Sequence, residues 1–422
     1  MSMNDVGFDW VRAKTLVALG VVLFVLGTAK KGYAQIFQLI EEGEKLELPF
    51  EYQQDFILVE MSLHGKIPMK FIFDTGAENT VIFDQMYLDI FSVEYDMKIP
   101  IIGSNLSTQS YAFVARDIPF EINRKLRTQL DVLVLENYGG QLKELLGTQV
   151  NGILGSSFFR HFIVEIDYRR KKIILSKDRE DLRRKVLDYE SLPLQIINAK
   201  PYVLASISMA EITEKELLLL IDTGAGIHLL VHSNTDPSLR LPDQVLPGYL
   251  GVGIGGLISG YIGRSNSFEL GENTYIDMLV NFQNIDSALL DQERIIRNGI
   301  IGNPFLNRYC IIIDYSNEQL YLKARKKHLR PFKFDRSGLT LIASGPELNQ
   351  YYIQSVRENS PAEAAGAQPG DRIRWAQRWP ARFWSLEGLV KLLKKREGKT
   401  IRLSVQRGDE KVRLKFELKK LI

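Results

Sequence analysis

Two short segments carry the chemistry that this sequence could perform. Asp74-Thr75-Gly76-Ala77 recurs as Asp222-Thr223-Gly224-Ala225, with the aspartates 148 residues apart (74 to 222). One Asp-Thr-Gly means little by itself. Two copies inside a matching repeat imply a two-fold arrangement that would bring both aspartates to one interface. Two carboxylates a few ångströms apart cannot both ionise comfortably, so they share a proton and titrate as a pair. Such a pair can hold a water molecule between its members. The ionised carboxylate takes a proton from the water as it attacks a carbonyl carbon, and the protonated one donates to the carbonyl oxygen. This chemistry needs only water and two carboxyls, so no cofactor is implied.

The neighbouring residues have physical roles. Gly76 and Gly224 let the backbone turn sharply and bring amides near the carboxylates. Thr75 and Thr223 can hydrogen-bond across the interface and hold both loops rigid. Ala77 and Ala225 offer no hydroxyl to the carboxylates, which predicts dyad pKa values less depressed than with Ser or Thr there, and a rate profile not confined to very acidic pH.

The repeat extends well beyond these segments. Gly152-Ile153-Leu154-Gly155 recurs as Gly299-Ile300-Ile301-Gly302, and Ile166-Asp167-Tyr168 as Ile313-Asp314-Tyr315, each shifted by 147 (155 to 302, 167 to 314). Three landmarks in one order, at offsets of 148, 147 and 147, define an internal duplication. Before the first motif, residues 56–63 and 69–73 read as two strands joined by a turn at His64-Gly65-Lys66. Before the second, residues 202–207 and 217–221 read the same way, as short β-branched and aromatic runs bounded by turn residues. Each unit is therefore expected to be a mostly-β lobe with its Asp-Thr-Gly at a strand end. Lobe one is placed at 46–177 and lobe two at 192–323, with charged connectors at 177–185 and 326–331.

Other chemistries find little support. Of five histidines, only His228 and His232 are spaced four apart, and they lie in an apolar run that reads as strand, so no metal site is expected. No serine sits in a Gly-x-Ser-x-Gly elbow. Cys310, the one cysteine, lies in an apolar run and reads as a buried structural thiol. The formal charge of +3 is too small to argue for nucleic acid, and an ordinary 45% hydrophobic, 25% charged composition excludes a disordered or fibrous chain.

These residues resemble the clan of retroviral-type and pepsin-type aspartic peptidases over roughly 46–323. Asp-Thr-Gly-Ala is the retroviral form of the motif, and the Ile153-Leu154-Gly155 and Ile300-Ile301-Gly302 segments resemble the strand that completes each lobe behind the active loop. The resemblance implies two small retropepsin-like β-barrel lobes in one chain, catalysis by Asp74 and Asp222, and a glycine-rich hairpin, the flap, over the substrate. Flap candidates are Gly103 and Ser104 in lobe one and Gly253, Gly255 and Gly256 in lobe two, at equivalent positions in the repeat. Two ordinary hairpin turns are the plainer reading of those glycines.

The character changes near residue 334. Ser360-Pro361 reads as the capped start of a short helix that Gly366 ends, Pro369-Gly370-Asp371 as a turn, 385–396 as an amphipathic helix, and 401–418 as a hairpin turning at Gly408-Asp409. The Ser-Pro-Ala-x-x-Ala-Gly and Pro-Gly-Asp-x-Ile pieces resemble a PDZ domain, β with two helices, over 334–422. That implies a peptide adding as a strand and a terminal carboxylate held by the Gly338, Leu339, Thr340 and Leu341 amides. Where PDZ domains usually carry Asn-Gly, this chain has Arg378-Trp379-Pro380. Trp375, Trp379, Phe383 and Trp384 crowd that region as either a binding surface or core.

At the N-terminus, Arg12 and Lys14 precede an apolar run over 16–27, and Gly32 and Ala34 fit a small-x-small cleavage pattern. Residues 1–34 read as a signal peptide or as an uncleaved membrane anchor. The arrangement of signal, two lobes and PDZ domain is similar to bacterial exported aspartyl proteases. The reading is a peptidase of the periplasm or cell envelope, with a peptide or protein substrate, a protein C-terminus as PDZ partner, no nucleic acid, and membrane contact only through an uncleaved N-terminus. A catalytically silent peptide-binding scaffold is the alternative.

Overall fold

The computed structural model describes residues 45–103, 109–123, 126–136, 138, 140–209, 212–254, 256–285 and 297–422. Its strands fall into sheets of 13, 10 and 6 members, so the chain is mostly β. The N-terminal segment over 1–34, and Ser104 and Gly255 among the flap candidates, lie outside the described residues. Among the described residues, no helix is long and apolar enough to cross a membrane.

Each lobe follows the same circuit. In lobe one, Phe56–Leu63 pairs antiparallel with Ile67–Phe73. The turn between them puts His64 and Gly65 at φ of 50° and 66°. Ile67–Phe73 then pairs in parallel with Gly152–Leu154, which pairs antiparallel with Thr80–Ile82. In lobe two, Lys200–Met209 pairs with Ile212–Asp222, which runs parallel to Gly299–Gly302, itself antiparallel to Leu229–His232. In both, the Asp-Thr-Gly emerges where a strand ends between two others, so sheet hydrogen bonds fix the loop on either side.

The lobes are joined by a shared sheet. Ile163–Asp167 of lobe one pairs with Tyr309–Asp314 of lobe two. The partners Ile166↔Ile311 map under the 147-residue offset onto Ile313↔Val164, so the local two-fold passes through this pair. Cys310 lies on the shared sheet and is half-buried rather than fully buried, with its thiol pKa raised by burial. A single apolar cluster runs through both lobes, including Phe73, Phe159, Phe268, Phe305 and Ile313. Each fully buried side chain of this size contributes about 1.5–3 kcal/mol.

The first connector is more than a charged link. Arg179–Lys185 is a helix, with the Asp178 carboxylate accepting from the Asp181 amide at 2.9 Å. Glu180 and Asp181 sit in its first turn and Arg183, Arg184 and Lys185 in its last, an order that complements the helix dipole.

The C-terminal domain has its own core, built on Leu341, Ile353, Leu389, Leu403 and Phe416. Ser360 and Ser385 cap the helices Pro361–Ala364 and Leu386–Leu393 by accepting from the Glu363 and Gly388 amides. Thr400–Arg407 and Glu410–Glu417 form the final hairpin. Leu339–Ser344 is an edge strand of this sheet. Trp375, Trp379 and Phe383 are exposed, whereas Trp384 packs against the core.

Candidate active site

Asp74 follows the strand Ile67–Phe73, and its amide donates to Leu154 O at 3.1 Å. Asp222 ends the strand Ile212–Asp222. The two carboxyls hydrogen-bond to each other across the lobe interface. Asp74 Oδ1 also accepts from the Gly76 and Ala77 amides at 2.7 and 3.0 Å, and Asp222 Oδ1 from the Gly224 amide at 2.8 Å. The glycines permit this approach. A Cβ on Gly76 would lie 2.6 Å from the Asp222 carboxyl carbon, and one on Gly224 would lie still closer to that of Asp74.

Thr75 and Thr223, both fully buried, interlock the loops. Each hydroxyl accepts from the other threonine's amide at 3.1 Å and donates across the interface at 2.7 Å, Thr75 to Ile221 O and Thr223 to Phe73 O. Four bonds in reciprocal pairs leave the carboxyls little freedom to part.

Burial raises the pKa of both aspartates, and their proximity raises Asp74 further. The surroundings are unequal. The hydrogen bond with Asp74 holds the Asp222 pKa down against that trend, and Arg297, the Gly224 amide and Lys200 lower it further. Two residues beyond the Tyr202↔Leu220 pair, the strand register sets Lys200 opposite Asp222. The corresponding place in lobe one holds Phe56, two residues beyond Leu58↔Ile72, and its ring lies against Gly226. Arg297 hydrogen-bonds Tyr202 and its Nε donates to His232 Nε2 at 3.5 Å. The two carboxyls therefore sit in unlike electrostatic surroundings, with the cations on the Asp222 side.

Sequence reasoning missed Lys200, Arg297 and Tyr138. Nothing local marks Lys200 or Arg297, because their proximity to Asp222 exists only once lobe two folds. One repeated signal was available but unread. Asn151 and Asn298 precede the repeated glycines, and their side chains accept from the Lys70 and Leu218 amides at 2.9 Å, anchoring the strand behind each aspartate.

The two histidines have separate surroundings. His232 is buried and meets Arg297, and His228 stacks edge-on against Phe332, its pKa pushed down to about 3 by burial. No group of three or more His, Cys, Asp or Glu side chains that could hold a metal occurs among the described residues.

The flap candidates fall on hairpins. Gly103 follows the strand Met97–Ile102, which pairs with Gln109–Ile122. Gly253 and Gly256 face each other at the end of the hairpin Leu246–Gly253 with Gly256–Arg264. Gly253 O accepts from the Tyr138 hydroxyl of lobe one, and Ile254 packs into a lobe-one cluster with Ala77, Leu142 and Leu146. This hairpin thus reaches across the cleft to the loop of Asp74.

In the C-terminal domain, Gly338 adopts φ of 85°. Its amide donates to Asp335 Oδ2 at 2.6 Å, and the Leu339 amide to Ser337 Oγ at 3.0 Å. Two of the four amides read as a carboxylate cradle are therefore occupied from within. Thr340 and Leu341 lie in the edge strand.

Fold and site together define a two-lobed acid-protease architecture with a separate β domain appended. Comparison with known families agrees: residues 59–158 match the aspartyl protease model and residues 324–418 the PDZ domain model. The chain thus carries an aspartyl protease-like domain and a C-terminal PDZ domain, the parts of a PDZ-containing protease. Among curated proteins it is similar to a "Probable CtpA-like serine protease" of Staphylococcus haemolyticus, 31% identical over 100 residues. That match spans 23% of this chain and 20% of the relative.

Proposed function

We propose that this protein is an aspartic endopeptidase in which Asp74 and Asp222 activate one water molecule. The observation that carries the reading is the pair of mutually hydrogen-bonded carboxyls locked by the reciprocal Thr75–Thr223 bonds. Asp222, ionised beside Lys200 and Arg297, takes a proton from the water as its oxygen bonds to the peptide carbonyl carbon. Asp74 gives its proton to the carbonyl oxygen, forming a gem-diol. Collapse breaks the C–N bond, the amine nitrogen takes the proton now on Asp222, and one gem-diol hydroxyl returns a proton to Asp74. The dyad is thereby restored to its starting state.

The PDZ domain recruits peptide segments of substrates or partners. The N-terminal segment directs export to the periplasm or envelope, as a cleaved signal or a retained anchor. The serine chemistry in the relative's name is not carried over, since the shared stretch is a fifth of that protein.

The test is cleavage of a denatured protein mixture across pH by residues 35–422, beside Asp74→Asn and Asp222→Asn. Cutting by the parent, abolished by either substitution, establishes the dyad. Folded parent and variants that are equally silent at every pH would overturn the reading in favour of a peptide-binding scaffold.

A further inference from the structure

The PDZ domain is seated on the two elements that close the lobe-two hairpin. From lobe one, the helix Gly140–Leu146 packs against the edge strand Leu339–Ser344, and Glu144 accepts from Ser344 Oγ at 3.1 Å. At the end of that helix, a methyl group placed on Gly147 would lie 3.0 Å from Leu386 Cβ and 3.5 Å from Ala343 Cβ. Ala343 belongs to the edge strand and Leu386 begins the helix Leu386–Leu393. Gly147 thus stands in the mouth of the groove between them, where a peptide adding as a strand would have to run.

The same helix is tied to the hairpin. Leu142 and Leu146 share a cluster with Ile254, and Tyr138, two residues before the helix, donates to Gly253 O. The base of the hairpin is held directly by the PDZ domain. Arg357 Nη1 donates to Pro247 O, its guanidinium covers Gly248, and its own amide donates to Gly338 O at 2.8 Å. Both ends of the hairpin are therefore fastened to groups that border the PDZ groove.

We infer that the lobe-one helix Gly140–Leu146 occupies the PDZ groove in cis, and that an extended peptide adding to the edge strand displaces it and releases the hairpin over the dyad. The groove and the cleft are then one switch: a peptide captured by the PDZ domain opens the lid. Its importance for catalysis rests on the reading of Asp74 and Asp222 as a dyad. The docking itself does not, so its test uses no turnover.

The experiment is hydrogen–deuterium exchange on residues 35–422, comparing the parent with Ser344→Arg and Glu144→Arg, which wedge the contact apart from opposite sides, and with Tyr138→Phe. Either wedge should speed exchange about tenfold in both 140–146 and 246–253. Tyr138→Phe should speed the hairpin alone. In parallel, the parent and Ser344→Arg are offered a pool of random decapeptides with free C-termini, and the wedged variant should retain about tenfold more. A wedge that leaves the helix protected overturns the docking. A loosened helix with an unchanged hairpin in either wedge, or a hairpin unchanged by Tyr138→Phe, overturns the coupling. Equal retention of the pool, including none by either protein, overturns the competition. All three failures leave the cleavage test of the dyad untouched.

Discussion

Thr223→Val tests whether the reciprocal threonine bonds are what hold the two Asp-Thr-Gly loops together. Valine keeps the shape and burial of threonine but removes the hydroxyl. Phe73 O then loses its donor at 2.7 Å and the Thr75 amide its acceptor at 3.1 Å, both where Thr223 is fully buried. Each stranded buried group costs about 1–3 kcal/mol, so the substitution should cost roughly 2–6 kcal/mol. Both lobes share one apolar cluster and the PDZ domain has another, so calorimetry should resolve them as separate transitions. For a unit of this size the loss lowers the lobe midpoint by roughly 5–20 °C and leaves the PDZ midpoint in place. Thr223→Ser keeps the hydroxyl and loses only a methyl, worth about 1 kcal/mol, so it should recover most of the stability. Thr75→Val should match Thr223→Val, because its bonds are the mirror image. Cleavage should fall about a hundredfold with either valine, since an ångström of misplacement at the dyad costs that much. A lobe midpoint within a degree of the parent in both valine variants would show that the interlock carries no load, and the reasoning would be wrong.

Three further outcomes are expected. A carboxyl whose pKa rises on folding binds its proton more tightly folded than unfolded, so it costs stability as pH climbs from the ordinary carboxylate range through the folded value. Asp74→Asn should therefore be more stable than the parent near neutral pH, with the gap closing below the usual carboxylate pKa; a gap in lobe midpoint that does not change with pH contradicts this. Ser156→Asn copies lobe two, where Asn303 accepts from the Tyr168 hydroxyl at 2.5 Å, onto the side where Ser156 and Tyr315 both leave buried hydroxyls without a partner; it should raise the lobe midpoint by about 1 kcal/mol of stability, and a fall would refute it. Arg407→Leu breaks the forked pair with Asp371, 2.8 Å on both arms, and strands a buried carboxylate; discounted for the exposure of the arginine, the PDZ transition should lose about 2–3 kcal/mol while the lobes keep theirs.

Much of this fold was legible because it is local or repeated. Phe56–Leu63 is a short apolar run bounded by a turn, as a strand should be, Ser360 and Ser385 announce helices by their caps, and offsets of 147 and 148 lined up the elements of two lobes. The helix Arg179–Lys185 was hidden by its own composition. A run of nine residues with eight charges reads as solvated linker unless Asp178 is recognised as a cap with acids after it and bases at the end. Tyr138, Arg297 and Arg357 were not legible, because each acts through a partner more than 60 residues away in sequence and no local pattern records that pairing.

The duplication that made the site readable also concealed how it would work. Two identical loops related by a two-fold axis would give two equivalent carboxyls, made donor and acceptor only by the one proton they share. A further difference comes from places where the repeat has been broken. Across from Asp222 stands Lys200, with Arg297 nearby on Tyr202 and His232, whereas across from Asp74 stands the apolar Phe56. These cations lower the Asp222 pKa, whereas the nearby Asp222 carboxyl raises that of Asp74. Among the described residues, Tyr138 and Arg357 fasten the lobe-two hairpin, and a lobe-one helix packs against the PDZ edge strand. The matching halves build the cleft, and the residues that fail to match give its two carboxyls and its two sides different work.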